Sequence, residues 1–223
     1  MKRLGYIIVV LSLLFVASCK RDSQELPTPE KTGYEYLPLK VGQQKVFQID
    51  SIIFNEYTGG IDSLTHFQRR SIIDSYYGDD RQLIYRMLIE ERLSDTLPWV
   101  EKQMDKVLMN KNYYLYEADN IPTIHLIFPT ATGASWNANL LNTKEEHLYF
   151  YQEVDRDFEI SEMYFPLTLG VLQMDVENLI EKRYTFERYA KDVGFIYRED
   201  INLKTDFSGD TLSGYICNWT FLY

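Results

Sequence analysis

From residue 34 onward, apolar and polar side chains alternate with a period of two, as in strands that bury one face. In Lys45-Val46-Phe47-Gln48-Ile49-Asp50-Ser51-Ile52, Phe47 and Ile49 fall on one face while Gln48 and Asp50 fall on the other. Alternation of varying regularity recurs at 65–74, 82–92, 99–109, 112–117, 123–128, 146–154, 184–189 and 194–199. The clearest run closes the chain: Tyr215, Cys217, Trp219, Phe221 and Tyr223 share one face, and Ile216, Asn218, Thr220 and Leu222 the other. Turn-forming residues at Tyr57-Thr58-Gly59-Gly60, Tyr77-Gly78-Asp79-Asp80, Asp155-Arg156-Asp157 and Ser208-Gly209-Asp210 sit where hairpin connections belong. Helical spacing is weak and confined to 175–183 and 137–145. Strands that follow one another without long helices predict a mainly antiparallel sheet. Such a sheet must bury a face and protect its edges. The expectation for 34–223 is therefore a single, mainly β domain with few short helices. Its antiparallel sheet would be strongly curved or form an open barrel, with a β-sandwich as the alternative.

The first 33 residues break this pattern. Lys2 and Arg3 precede an apolar run from Leu4 to Val16, too short for the roughly 20 residues that a membrane-crossing helix needs. It fits the apolar region of a secretory signal. The run ends Val16-Ala17-Ser18-Cys19, small residues before a thiol, and resembles the lipobox of bacterial lipoproteins. That resemblance implies cleavage after a 1–18 signal peptide, acylation of Cys19, and membrane lipid as the first partner. Residues 19–33 are polar, contain Pro27 and Pro29, and lack periodicity, so they read as a tether. Lys20 stands where lipoproteins retained at the inner membrane carry Asp. The resemblance therefore places the chain in the cell envelope, at the outer membrane.

Charge and cysteine content narrow the partners. Loss of Lys2 and Arg3 leaves 21 basic residues against 33 acidic, a net charge of −12 for the cleaved chain. That argues against nucleic acid and against a basic grip on anionic lipid. With Cys19 taken by lipid, Cys217 has no partner in the chain, so the fold must hold by burial alone. Cys217 alternates with Tyr215 and Trp219, which predicts a place on an aromatic, buried face.

One phrase recurs. Tyr36-Leu37-Pro38-Leu39-Lys40-Val41-Gly42 is echoed by Tyr164-Phe165-Pro166-Leu167-Thr168-Leu169-Gly170, and more loosely by 128–136. Proline and glycine suit each copy to turning the chain before a strand. The phrase at 36–42, the Phe128-Pro129 to Trp136 stretch, and Tyr189-Ala190-Lys191-Asp192-Val193-Gly194-Phe195 together resemble uncharacterised Bacteroidota-type envelope lipoproteins. The sequence departs from them at Lys45, where tryptophan is usual, and at Asp192, where glycine is usual. The resemblance implies a β-rich fold and an envelope location and supplies no activity.

Catalytic signatures are absent: there is no Gly-x-Ser-x-Gly, no His-Glu-x-x-His and no phosphate-binding glycine loop. His66, His125 and His147 lie far apart in strand-like stretches and read as sheet-surface residues. Asp155, Asp157 and Glu159 alternate but read as solvated turn charges, so no metal or other cofactor is expected. The function expected is a non-catalytic module for an apolar or glycan ligand, with Trp99, Trp136 and Tyr114 as candidate stacking surfaces. A structural or accessory role, docking on another envelope protein through a sheet edge, is the alternative. Exported proteins of the resembled group carry O-glycans on Asp-Ser/Thr-aliphatic triplets, and four such triplets occur here. Thr211, Ser63 and Thr96 are expected in accessible loops, and Ser51 inside a strand.

Overall fold

The computed structural model describes residues 32–223; the signal sequence, Cys19 and most of the tether lie outside the described residues. Among the described residues, twelve strands run in a single sheet. They are β1 (Gln44–Phe54), β2 (Ile61–Tyr77), β3 (Leu83–Arg92), β4 (Val100–Met109), β5 (Tyr113–Ala118) and β6 (Ile121–Ile127), then β7 (Ser135–Asn137), β8 (Leu148–Ile160), β9 (Met163–Glu177), β10 (Glu181–Ala190), β11 (Gly194–Thr205) and β12 (Thr211–Phe221). The spatial order is β6-β5-β4-β3-β2-β1-β12-β11-β10-β9-β8-β7, every neighbour antiparallel. This is an up-and-down meander in which the first and last strands pair, Phe47 opposite Phe221 and Ile49 opposite Trp219. The free edges are therefore β6 and β7, not the chain ends.

Those edges nearly meet. The Ile124 amide donates to the Ala138 carbonyl at 2.9 Å, and the Trp136 indole donates to the Ile124 carbonyl at 2.8 Å. The result is a nearly closed barrel. Its interior holds one cluster drawn from strands all round the sheet, including Phe47, Ile72, Ile89, Val107, Leu126 and Val171. The only helical element among the described residues is a single 3-10 turn, Tyr34–Tyr36. It lies across one end of the barrel. The Tyr34 hydroxyl donates to the Lys111 carbonyl, Tyr36 to Asp155, and the Asp192 amide to the Glu35 carbonyl. Tyr36 and Leu37 are buried there, so the chain's entry segment closes that end.

Five local expectations are corrected. The 175–183 segment is a hairpin tip: Asn178 Oδ1 accepts from the Ile180 and Glu181 amides at 3.0 and 3.2 Å, reversing the chain between β9 and β10. Residues 137–145 also form side-chain-capped turns, with Asn137 Oδ1 accepting from Asn139 and Asn142 Oδ1 from Lys144. In both places the helix-like spacing came from turn geometry. Asp155-Arg156-Asp157 is not a hairpin. It lies inside β8, where Asp155 adopts φ 57° and register irregularities flank Arg156. The second copy of the repeated phrase does not turn either: it lies within β9. Pro166 falls in the irregularity between the Arg156–Thr168 and Phe158–Phe165 pairs. Gly170 admits the Phe186 ring, whose Cζ would stand 2.6 Å from a Cβ at that position. Cys217, finally, is half-buried and accepts from the Ser51 hydroxyl at 3.5 Å, because it lies towards the β12 end away from the apolar cluster.

Candidate functional site

Inside the barrel is a chamber of about 330 Å³. Its mouth lies at the end opposite the 3-10 turn, beside Ala118, Asp119, Ile121 and Lys144. The β5–β6 hairpin that forms this rim is tight, with Asp119 and Asn120 both left-handed at φ 51° and 60°. Deeper, the walls combine the rings of Tyr114, Tyr116, Tyr189, Phe195 and Trp219 with Glu187 and Arg198, and the inner end is reached at Arg70. Beyond Arg70 a smaller hollow of about 50 Å³ lies under Leu37, Pro38 and Leu39, with Lys45 on its wall. Arg70, Tyr114 and Phe195 border both spaces.

Strand phase explains how charge comes to face inward. Side chains two apart share a face, so the residues in phase with buried Phe47 and Ile49 include Lys45. On β2 the inward partners of Lys45, Phe47 and Ile49 are Arg70, Gln68 and His66. On β10 and β11 the facing pair is Glu187 with Arg198. The barrel therefore carries an internal belt of polar groups above its apolar floor.

Most of that belt is mutually satisfied. Glu187 is buried, accepting from Tyr189 at 2.7 Å and from Arg198 at 3.0 Å, with His125 Nδ1 at 3.4 Å. Burial pushes its carboxyl up, but His125 (when protonated), Arg198 and Tyr189 together outweigh burial and hold it well below the usual carboxylate range. Arg198 also donates to Asp200 at 2.8 Å. Asp105, buried on β4, accepts from Gln103 at 3.0 Å and from the Tyr116 hydroxyl. Tyr114 and Tyr189 are held neutral chiefly by burial.

Arg70 and Lys45 are different. Arg70 Nε donates to Gln68 at 2.8 Å, and its guanidinium lies 4.8 Å from the Trp219 ring centre, 5.1 Å from Phe195 and 5.4 Å from Phe47. Its remaining nitrogens make no hydrogen bond, and neither Arg70 nor Lys45 has an ion-pair partner among the described residues. Burial first, and Arg70 second, lower the Lys45 ammonium to about 7.

Of the three candidate stacking residues, Tyr114 lines the chamber. Trp136 is buried at the β6–β7 seam, committed to the Ile124 carbonyl. Trp99 lies in the β3–β4 connection, covered by the guanidinium groups of Arg92 and Arg69 at 4.5 and 4.7 Å. The structure brings neither tryptophan to the chamber and adds Trp219 instead. His125 is on the chamber wall, not the sheet surface, in phase along β6 with Ile121 and Thr123, which line the same chamber. Among the glycosylation candidates, Thr96 is exposed in the β3–β4 turn, Ser63 is exposed but within β2, and Thr211 is half-buried at the start of β12. Ser51 is half-buried in β1 between two paired strands. Sequence reasoning missed Lys45, Arg70, Glu187 and Arg198; the available signal was Lys45's phase with Phe47.

No family model matches the sequence, and no curated protein matches it. A solved structure with a similar course is that of a candidate lipoprotein from Parabacteroides distasonis ATCC 8503. It is 10% identical, with 84% of this chain and 98% of that chain covered, at a TM-score of 0.40.

Proposed function

We propose that this chain is a lipid-anchored envelope lipoprotein, held at the outer membrane through acylated Cys19. On this reading its barrel is a non-catalytic module that binds a small apolar or glycan ligand. The leader and Cys19 support the anchoring. The observation that carries the binding role is the chamber: an aromatic-walled space of about 330 Å³, open at one end and closed at the other, within the range of small-molecule sites. Docking on another envelope protein through a sheet edge is less well supported, since β6 and β7 cover each other at the seam.

Anchoring is tested by labelling cells with a clickable palmitate. Wild type should take the label, and Cys19→Ala should lose it and accumulate as precursor; a labelled variant refutes the anchor. Ligand binding is tested by extracting the protein from its host with Ala118→Trp beside it, a substitution that fills the mouth. Mass spectrometry of the denatured samples should find a small molecule in wild type that is depleted in the variant. Equal content in both refutes the chamber as the site.

A further inference from the structure

Lys45 and Arg70 stand directly opposite each other across the β1–β2 ladder. Both face the barrel interior. Like charges in opposed positions repel, and an enclosed cation without a counter-ion is costly. Among the described residues, no carboxylate pairs with either. Glu187 and Asp200 are taken by Arg198, and Asp105 by Gln103 and Tyr116.

Both cations are nonetheless held in place. Gln68 fixes Arg70 Nε, and three aromatic rings surround the guanidinium, which leaves its terminal nitrogens free. Lys45 reaches over Gly194, where a Cβ would stand 2.4 Å from Nζ. That glycine keeps the space beside the ammonium clear. The small hollow between Lys45 and Arg70, about 50 Å³, has room for a group of two or three heavy atoms. The larger chamber next to it sets Tyr114, Tyr116, Phe195 and Trp219 beside the paired charges of Glu187 and Arg198.

We propose that the barrel interior binds an organic monocarboxylate, its head held by Arg70 and Lys45 and its apolar body lying against Tyr114, Tyr116, Phe195 and Trp219. This rests on the reading of the barrel as a ligand-binding module and names the class of ligand. Arginine offers a carboxylate a planar pair of donors, and an incoming anion removes the repulsion between the two cations. A planar carboxylate suits the site better than a bulkier dianion such as a phosphate monoester, because the hollow beside the two cations is only about 50 Å³.

The test uses the full chain in a neutral maltoside detergent, with empty micelles as blank, and calorimetric titration of 2-naphthoate, 2-naphthylmethanol and 2-naphthyl phosphate. Wild type should bind 2-naphthoate at least tenfold more tightly than the uncharged alcohol. Lys45→Met and Arg70→Gln should each reduce that preference to under threefold while still binding the alcohol. Arg70→Gln removes the centre of an aromatic cage, so if it fails to fold, Lys45→Met decides alone. Equal affinity of wild type for naphthoate and alcohol overturns the carboxylate site and leaves the ligand-binding module standing. Absence of binding by both overturns the two together. A preference undiminished in the folded variants places the anion elsewhere, and tighter binding of the phosphate overturns the monocarboxylate.

Discussion

Replacing Lys45 by methionine should stabilise the protein at neutral pH. Inside the barrel the lysine ammonium falls from its ordinary 10.5 to about 7, because burial strips its water and Arg70 repels it. The sign follows from proton counts. Below pH 7 the lysine is protonated whether the chain is folded or unfolded, and the full penalty is present. Between pH 7 and 10.5 the unfolded chain holds one more proton than the folded chain, so stability rises with pH by about 1.4 kcal/mol per pH unit. Over the whole window that is about 5 kcal/mol, an upper bound. Part of the residue still meets solvent, which trims the expected gain from Lys45→Met at pH 6 to about 2–4 kcal/mol. For a chain of this size that corresponds to a rise in Tm of roughly 5–15 °C. Methionine has similar length and no charge, so packing over Gly194 is kept. The assay is urea denaturation followed by tryptophan fluorescence at pH 6, 7.5 and 9, with both proteins at each pH. Tyrosine ionisation is avoided by stopping at 9, and every other titrating group cancels in the difference between the two proteins. That difference should shrink as pH rises. A variant less stable than wild type at pH 6, or two parallel pH profiles, would refute an enclosed, unpaired cation at position 45.

Glu187→Gln should act in the opposite sense, costing about 1–3 kcal/mol at pH 7 by leaving half-buried Arg198 with Asp200 as its one carboxylate and weakening the bond from Tyr189. Because the Glu187 carboxyl is depressed in the fold, its contribution is present above about pH 4.5 and lost on further acidification, so the two urea midpoints should converge there. Trp136→Phe leaves the Ile124 carbonyl without its indole donor at the seam. The expected cost is about 1–3 kcal/mol, with faster hydrogen exchange confined to 121–127 and 135–138, and uniform acceleration would contradict a local seam. For surface modification, the observed exposure orders the sites as Thr96 and Ser63 first, Thr211 next and Ser51 last. Peptide mapping of protein from the native host should recover glycan in that order, and occupancy at Ser51 alone would defeat the access argument.

The barrel was legible because period-2 alternation is a backbone property that survives single-residue exceptions. Lys45 to Ile52 and Tyr215 to Tyr223 marked β1 and β12, and the scarcity of helical spacing excluded layered α/β folds. What stayed hidden were the places where local chemistry has two structural uses. Pro166 and Gly170 read as turn formers, yet in β9 one sits at a register irregularity and the other makes room for the Phe186 ring. That concealed a 15-residue strand. Asx-capped turns at Asn137, Asn142 and Asn178 place apolar residues at helix-like intervals without any helix. The chamber was harder still. Alternation says that Lys45 shares a face with Phe47, but it does not say whether the polar members of that face are inside. Trp99 and Trp136 drew attention because tryptophan is a frequent platform. Each is instead spent on a structural partner, two arginines in one case and a backbone carbonyl in the other.

The interior charges divide into two kinds, and the division bears on what the barrel is for. Glu187, Arg198 and Asp200 satisfy one another, and Asp105 is answered by Gln103 and Tyr116. Such a network can hold a polar belt inside a barrel without outside help, since each desolvated group regains its hydrogen bonds. Among the described residues, Lys45 and Arg70 gain nothing comparable. A methionine at 45 would pack against Pro38 and Gly194 with no charge to strip of water, and would relieve Arg70 of a repelling neighbour. Stability alone therefore favours an apolar residue at that position. An enclosed cation that the fold does not neutralise is most economically explained by a counter-charge from outside the chain. The self-contained acids around it serve the same end: with their lone pairs already committed to protein donors, they do not compete for the two cations at the inner end of the chamber.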